Sequence, residues 1–197
     1  MDVNAQVAAV ARSVSACERD GRAMRDVTVE RCFGAPPGEL WSAVTDPQQL
    51  ARWFLPVSGE LRLGGRYQFD GNAGGTITAC EAPRHLVVTW EFGGGVSWVA
   101  LRIAAATNGA RVTLTHTCPL DDHWRSYGAG AAGLGWELAL AGLAALLAGG
   151  TPPDESSAFV AAASDAWRRA AIAGGEDAAQ AAEAAGRTTA FYAPPAG

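Results

Sequence analysis

The stretch Asp121–Ala148, DDHWRSYGAGAAGLGWELALAGLAALLA, decides the fold. Trp136, Leu140, Leu143 and Leu147 recur at helical spacing and form a bulky apolar stripe. Beside them run Gly128, Ala132, Gly135, Ala139 and Gly142, a second stripe almost without side chains. Each Gly inside a helix costs about 1 kcal/mol relative to Ala. The stripe therefore implies close backbone approach, or space left open beside the helix. Asp121, Asp122 and His123 stand at the helix start, where acids suit the helix dipole. Neighbours on a helix point in different directions, so the triplet reads as a cap and not as a metal site. Leu134–Ala148, the most apolar run, is broken by Glu137 and too short to span a bilayer.

Upstream of this helix, residues 57–117 alternate as strands. Val57, Leu61 and Leu63 share a face before Gly64-Gly65; Tyr67 and Phe69 follow, then the Gly71–Gly75 loop. Ile77 and Ala79, then Leu86, Val88, Trp90 and Phe92, then Val99, Leu101 and Ile103 continue the pattern. Asn108-Gly109 is a hairpin signal, and Val112, Leu114 and His116 close the run. Links this short give an antiparallel meander. Pro36-Pro37 open a helix carrying Leu40, Trp41 and Val44. Asp46 caps a second, with Pro47 at its first position and Gln49 three residues after the cap. Asp26–Phe33 reads as the first strand. Val3, Val7, Val10 and Val14 predict a helix over residues 2–20 that Gly21 ends. Beyond a Gly149–Pro153 linker, residues 154–173 and 176–192 read as two Ala-rich helices, docked through Phe159, Trp167 and Phe191. The fold class is α+β: a curved seven-stranded antiparallel sheet wrapped around the long C-terminal helix, with two extra C-terminal helices. Residues 1–25 form a helical leader, 26–148 the main domain, and 149–197 a helical extension packed on it.

Composition narrows the function. The chain has 197 residues, is 49 % hydrophobic and 18 % charged, and carries a net charge of −5. Without a Lys/Arg stripe it has no nucleic-acid groove, and its acidic balance does not suit anionic membranes. The N-terminus lacks the basic start and apolar run of a signal peptide, so a cytoplasmic location is expected. Cys17, Cys32, Cys80 and Cys118 form no CxxC pair. No nucleophile elbow, zinc motif or paired-carboxylate arrangement stands out, and the Gly clusters are hairpin turns. The sequence calls for no cofactor, no metal and no specific catalytic residue.

The candidate ligand-facing residues are Arg31, Trp53, Tyr67, Phe69, Trp90, His116, Trp124, Trp136 and Leu140. Arg31 shares the phase of Val27, Val29 and Phe33, and is either paired at the sheet edge or turned to a ligand. His116 shares the phase of Val112 and Leu114. It is a core residue or, in a cavity, a hydrogen-bonding handle or proton shuttle. His85 follows a turn and reads as exposed. Seven tryptophans raise the question of what they line, because Trp and Tyr favour half-wet walls.

The chain resembles the START-like (SRPBCC) superfamily and, within it, the activator of heat-shock protein 90 ATPase homologue family. The matching stretches are Ala35-Pro36-Pro37 through Leu40-Trp41, Thr45-Asp46-Pro47, Trp53, and Leu63-Gly64-Gly65-Arg66-Tyr67. Gly75-Thr76-Ile77, Pro83-Arg84-His85-Leu86 through Thr89-Trp90, Arg111–His116 and Gly135-Trp136 follow in order. The tail is similar to one carried by some bacterial members. The resemblance implies a helix-grip fold, often with a cavity between sheet and helix. Related members bind lipids, polyketides, hormones or other hydrophobic molecules, and some are cyclases. The eukaryotic namesake stimulates a chaperone ATPase with the help of a separate N-terminal domain, so a chaperone partner ranks behind a small molecule here.

The leading expectation is binding of a small hydrophobic ligand in an aromatic-lined cavity between sheet and long helix. The first alternative is an interaction module, co-chaperone-like or homodimeric, whose Gly/Ala stripe is a docking groove. The second is a cyclase- or hydrolase-like enzyme on a hydrophobic substrate, working through His116 or Arg31.

Overall fold

The computed structural model describes residues 3–150 and 156–193. It opens with a short helix, α1 (Val3–Ala8), and then a strand, β1 (Val10–Arg19). The helix expected over residues 2–20 is thus confined to Val3–Ala8, and from Val10 onward the expectation is overturned by a strand. A spacing of four places residues on one face of a helix and, being even, on one face of a strand as well. Val10 and Val14 are both buried from the strand. Asp20 and Gly21, at φ 51° and 72°, turn the chain into β2 (Arg22–Phe33).

Proline and a side-chain cap set the next two elements. Pro37 starts α2 (Pro37–Thr45), which buries Leu40, Trp41, Ala43 and Val44. Asp46 then caps α3 (Pro47–Leu50), its carboxylate accepting from the backbone N–H groups of Gln48 and Gln49. The six strands read from alternation follow: β3 (Val57–Gly59), β4 (Arg66–Phe69), β5 (Gly74–Glu81), β6 (His85–Phe92), β7 (Gly95–Ala106) and β8 (Gly109–Pro119). Leu61 and Leu63 do not belong to β3. They lie in the loop after it, 47 % and 66 % exposed.

The sheet is antiparallel, in the order β1-β2-β8-β7-β6-β5-β4-β3. It has eight strands instead of the expected seven, the addition being β1. From β2 the chain must reach the opposite edge to begin β3. Helices α2 and α3 make that traverse, α2 packing on β7 and α3 on β3. A bulge between Ile77 and Ala79 shifts the β5–β6 register, and β6 and β7 then pair without interruption from His85↔Arg102 to Phe92↔Gly95.

After the sheet come α4 (Asp122–Leu147), α5 (Ser157–Ala173) and α6 (Ala178–Tyr192). Thr151–Pro153 of the expected linker and Asp154 lie outside the described residues. Gly128 interrupts α4 with φ 56° and ψ −154°, backbone angles that essentially only glycine adopts. At 26 residues, α4 exceeds the run judged too short for a bilayer, and by length and composition it could cross one. Its Glu137, however, is 1 % exposed and bonded inside the protein, which marks a core helix. These elements in this order make the α+β helix-grip fold that the sequence implied.

Two compact units divide the chain. The first comprises Met1–Val29, Thr117–Leu138 and Pro153–Gly197; the second comprises Glu30–His116 and Ala139–Pro152.

Candidate functional site: a wall of aromatic rings

Alternation in β4 and β6 puts Tyr67, Phe69 and Trp90 in one phase, and the end of α3 supplies Trp53 and Phe54. In the second unit these rings form a continuous chain. Trp53 meets Phe54 at 5.6 Å between centroids, and Phe54 meets Phe69 edge-on at 5.1 Å. Phe69 touches both Tyr67, at 5.5 Å, and Trp90, at 5.8 Å. Trp90 meets the His116 imidazole at 6.0 Å. Spacings and tilts of this kind are those aromatic pairs prefer. Trp53, Phe54, Tyr67, Phe69 and Trp90 are all half-buried, while His116 is 8 % exposed. The rings are therefore a wall that keeps part of its surface open.

The polar atoms of this wall are mostly spent within the protein. Trp53 Nε1 donates to the Ala43 carbonyl at 2.9 Å, and the Tyr67 hydroxyl donates to the Thr89 carbonyl at 2.7 Å. Burial, with the Glu91 carboxylate adding to it, raises the Tyr67 phenol above its ordinary value, so it stays protonated. His116 Nε2 lies 2.8 Å from Ser97 Oγ, which also sits 3.2 Å from the Trp90 carbonyl. Burial pushes the His116 pKa down to about 4, so the imidazole is neutral at physiological pH. The charges nearby alternate away from the rings. Arg66 and Glu91 each adjoin a wall residue in sequence and form a bidentate pair at 3.0 Å on the exposed phase. That pairing holds the Glu91 carboxyl below its ordinary value.

Five of the nine sequence candidates, Trp53, Tyr67, Phe69, Trp90 and His116, thus come together in one ring chain. Arg31 and Leu140 belong to the same unit. Arg31 is half-buried, its guanidinium 5.7 Å from the Phe33 ring centroid, a cation–π distance. Leu140 is buried on α4. Trp124 and Trp136 fall in the first unit, Trp124 buried and Trp136 half-buried. Two residues of the wall are not among the nine ligand-facing candidates. Phe54 adjoins Trp53 in a Trp-Phe pair, and Ser97 shares the phase of Val99, Leu101 and Ile103, the polar member of an inward row. His85 is half-buried, not exposed, with Nδ1 3.8 Å from the Glu81 carboxylate.

The small-residue stripe of α4 does not serve as empty volume at its glycines. A Cβ on Gly135 would fall 2.9 Å from the Tyr192 hydroxyl; outside the stripe, one on Gly133 would fall 2.4 Å from the Trp167 ring and one on Gly130 3.1 Å from Thr188. A Cβ on Gly128 would meet Ala184 at 3.1 Å, and one on Gly142 the Trp53 carbonyl at 3.0 Å. In the first unit the stripe is the seat of α5 and α6. Phe159 and Trp167 are buried there as expected, but Phe191 is 69 % exposed. Residues of α6 bond instead to α4 carbonyls around the break: Arg187 to Ser126, Thr188 to Tyr127 and Tyr192 to Ala131. A cleft of about 20 Å³ remains between the three helices, room for roughly one water.

The same unit buries an ion pair. Arg12 of β1 forms a bidentate pair with Glu137, its Nε donating at 2.9 Å, and Nη1 reaches the Val7 and Val10 carbonyls at 2.9 Å each. Trp167 Nε1 donates to the same carboxylate at 3.1 Å. All four cysteines are free. Burial raises the Cys118 thiol to about 12, and burial with the Asp26 carboxylate raises Cys17 to about 11, so neither is poised as a nucleophile. Asp121 caps the start of α4 by accepting from the Trp124 N–H at 2.9 Å. Among the described residues, no three His, Cys, Asp or Glu side chains converge as metal ligands.

Comparison with known proteins supplies the lineage. The family model described as "Activator of Hsp90 ATPase homolog 1-like protein" matches residues 34–148. The crystal structure of CalU16 from Micromonospora echinospora is 30 % identical, with a TM-score of 0.72 over 83 % of this chain and 99 % of that one. MLL2253 from Mesorhizobium loti is 25 % identical, with a TM-score of 0.57 over 63 % of this chain and 97 % of its own. DynU16, described as a protein in the dynemicin biosynthetic locus, is also 25 % identical, with a TM-score of 0.56 over 64 % of this chain and 48 % of that one. No curated protein sequence matches the chain. By a family match that spans more than half its length, the chain belongs to the activator of Hsp90 ATPase homolog 1-like family.

Proposed function

We propose that this protein binds a small, uncharged hydrophobic molecule on the aromatic wall formed by Trp53, Phe54, Tyr67, Phe69 and Trp90, with His116 at its end. One observation carries the reading: five rings in unbroken contact stay half-buried. Exposing that much aromatic surface without a partner is unfavourable at roughly 25 cal/mol per Å². The neutral His116 and the outward-facing Arg66–Glu91 pair leave the wall uncharged, which favours an uncharged ligand over an anion or cation. Arg31 over Phe33 and Leu140 on α4 are the further candidates for its margins. The place of DynU16 in a biosynthetic locus agrees with a small-molecule role. The four free cysteines fit a cytoplasmic protein.

The test has two arms. Native mass spectrometry of freshly purified protein looks for a co-purified small molecule, and intrinsic Trp fluorescence is followed during titration with a lipophilic panel. Trp90→Ala removes the ring that joins Phe69 to His116 and should weaken binding about tenfold, the equivalent of 1.4 kcal/mol. Unchanged affinity in that variant, or no response to any compound, rules the wall out as the site.

An interaction module is the second reading, and the seating of α5 and α6 on the glycines of α4 favours an intramolecular form of it. Removing residues 156–193 should then expose that seat and cause self-association, read by light scattering. A monomer that stays soluble without the tail speaks against it.

A further inference from the structure

We infer that Ser97 is the polar anchor of the wall and that it selects ligands carrying a hydrogen-bond donor, such as a phenolic hydroxyl. The inference rests on the ligand-binding reading above and adds the chemistry of the ligand to it.

A serine hydroxyl has one proton to donate and two lone pairs to accept with. Ser97 Oγ has two partners, the Trp90 carbonyl at 3.2 Å and His116 Nε2 at 2.8 Å. If the hydroxyl donates to the carbonyl, His116 donates its Nε2–H to Oγ, and one lone pair is left. If the hydroxyl donates to an unprotonated Nε2, both lone pairs are left. In either tautomer the proton of Ser97 is already committed and accepting capacity remains. A ligand that meets Ser97 without breaking these bonds must therefore donate.

Position makes this the polar atom that matters. Ser97 pairs directly with Trp90 across β6 and β7, so its side chain lies beside the Trp90 ring. Ser97 is half-buried, whereas its partner His116 is 8 % exposed. Two other polar groups of the wall donate to backbone carbonyls, Tyr67 to Thr89 and Trp53 to Ala43, and the Trp53 indole has no lone pair with which to accept. The neutral His116 cannot strengthen the site for an anion, so the selected group is a neutral donor on an apolar frame.

The experiment is a ligand-observed NMR titration of the full chain with three probes of one ring system: naphthol, its methyl ether, and methyl naphthyl ketone. The naphthol donates, the ether and the ketone only accept. Naphthol should bind about tenfold more tightly than either, the scale of one hydrogen bond. Ser97→Ala should erase that preference while leaving the ether's affinity within about twofold, and Ser97→Thr, which keeps the hydroxyl, should retain it. Equal affinity for naphthol and ether, or preference for the ketone, overturns the assignment of Ser97 while leaving the wall in place. Binding of none of the three overturns both. Should Ser97→Ala fail to fold, the wild-type ranking and its retention in Ser97→Thr decide.

Discussion

Replacing Arg12 tests how the N-terminal strand is held. Arg12 and Glu137 have side chains 8 % and 1 % exposed, so solvent does little to screen the pair. Arg12→Leu keeps an apolar stem of similar reach and leaves the Glu137 carboxylate buried, with Trp167 Nε1 its remaining donor in the triad. Breaking a buried pair from one side costs about 3–5 kcal/mol, because the surviving charge has no counterpart. For a chain of this length each kcal/mol lowers the melting temperature by about 2–4 °C. The loss should thus be about 6–20 °C, followed by calorimetry or by urea unfolding with Trp fluorescence and circular dichroism as paired probes. Arg12→Leu/Glu137→Gln removes the orphan charge and keeps an oxygen for Trp167. It should recover a large part of the loss and come out more stable than the Arg12→Leu single variant. A loss below about 1 kcal/mol in Arg12→Leu, or a double variant as poor as the two singles added, would refute the claim that the carboxylate is dry and charged.

His116 has a folded pKa of about 4 against an ordinary 6.5, so the unfolded chain binds the extra proton between those values. Stability from this group is complete above pH 6.5 and lost as pH falls toward 4, by at most roughly 3 kcal/mol; urea melts at both ends should show a smaller pH dependence in His116→Gln than in wild type. Gly133→Ala places a methyl 2.4 Å from the Trp167 ring and should destabilise by about 1–3 kcal/mol, read as a lower urea midpoint, whereas Gly38→Ala, with open space around it, should not. Thr188→Val/Tyr192→Phe removes two of the hydroxyls that α6 lends to α4, and amide exchange in residues 178–192 should speed up, with exchange in β6 and β7 unchanged.

What the sequence made legible was local. The Asp46 cap, the Pro starts of α2 and α3, and the hairpins of β5 through β8 each depend on residues a few positions apart, and the structure has all of them. The wall was legible for a related reason: alternation fixes which face a strand residue takes, so Tyr67, Phe69, Trp90 and His116 could be assigned to one side without knowing the sheet order. Ser97 was available by the same rule, but a small polar residue in an apolar row draws no notice until its partner is seen. The failures were non-local. Val10 and Val14 are spaced for either structure, and the residue that decides between them is Arg12. On a strand it points inward with the valines, which makes sense only with Glu137, 125 residues away, to receive it. The stripe of α4 shows that side chains are missing, but not that Ala184 and Tyr192 occupy the gaps at Gly128 and Gly135.

The choice between Phe191 and Tyr192 shows which force docks the tail. Helix α6 buries only Ala181, Ala184 and Thr188, so its apolar contribution is thin. Burying Phe191 would add about 1.5–3 kcal/mol, and on hydrophobicity alone it should face α4. But Gly128 departs from helical angles, and the carbonyls of Ser126 and Tyr127 belong to residues whose i→i+4 bonds would span that break. These half-buried carbonyls can take a donor from α6, and a phenylalanine has none to offer. Turning α6 so that Arg187, Thr188 and Tyr192 each reach a carbonyl supplies three bonds, and those three outweigh one phenyl ring. Phe191 is left outside because its neighbour on the helix, about 100° around, carries the hydroxyl.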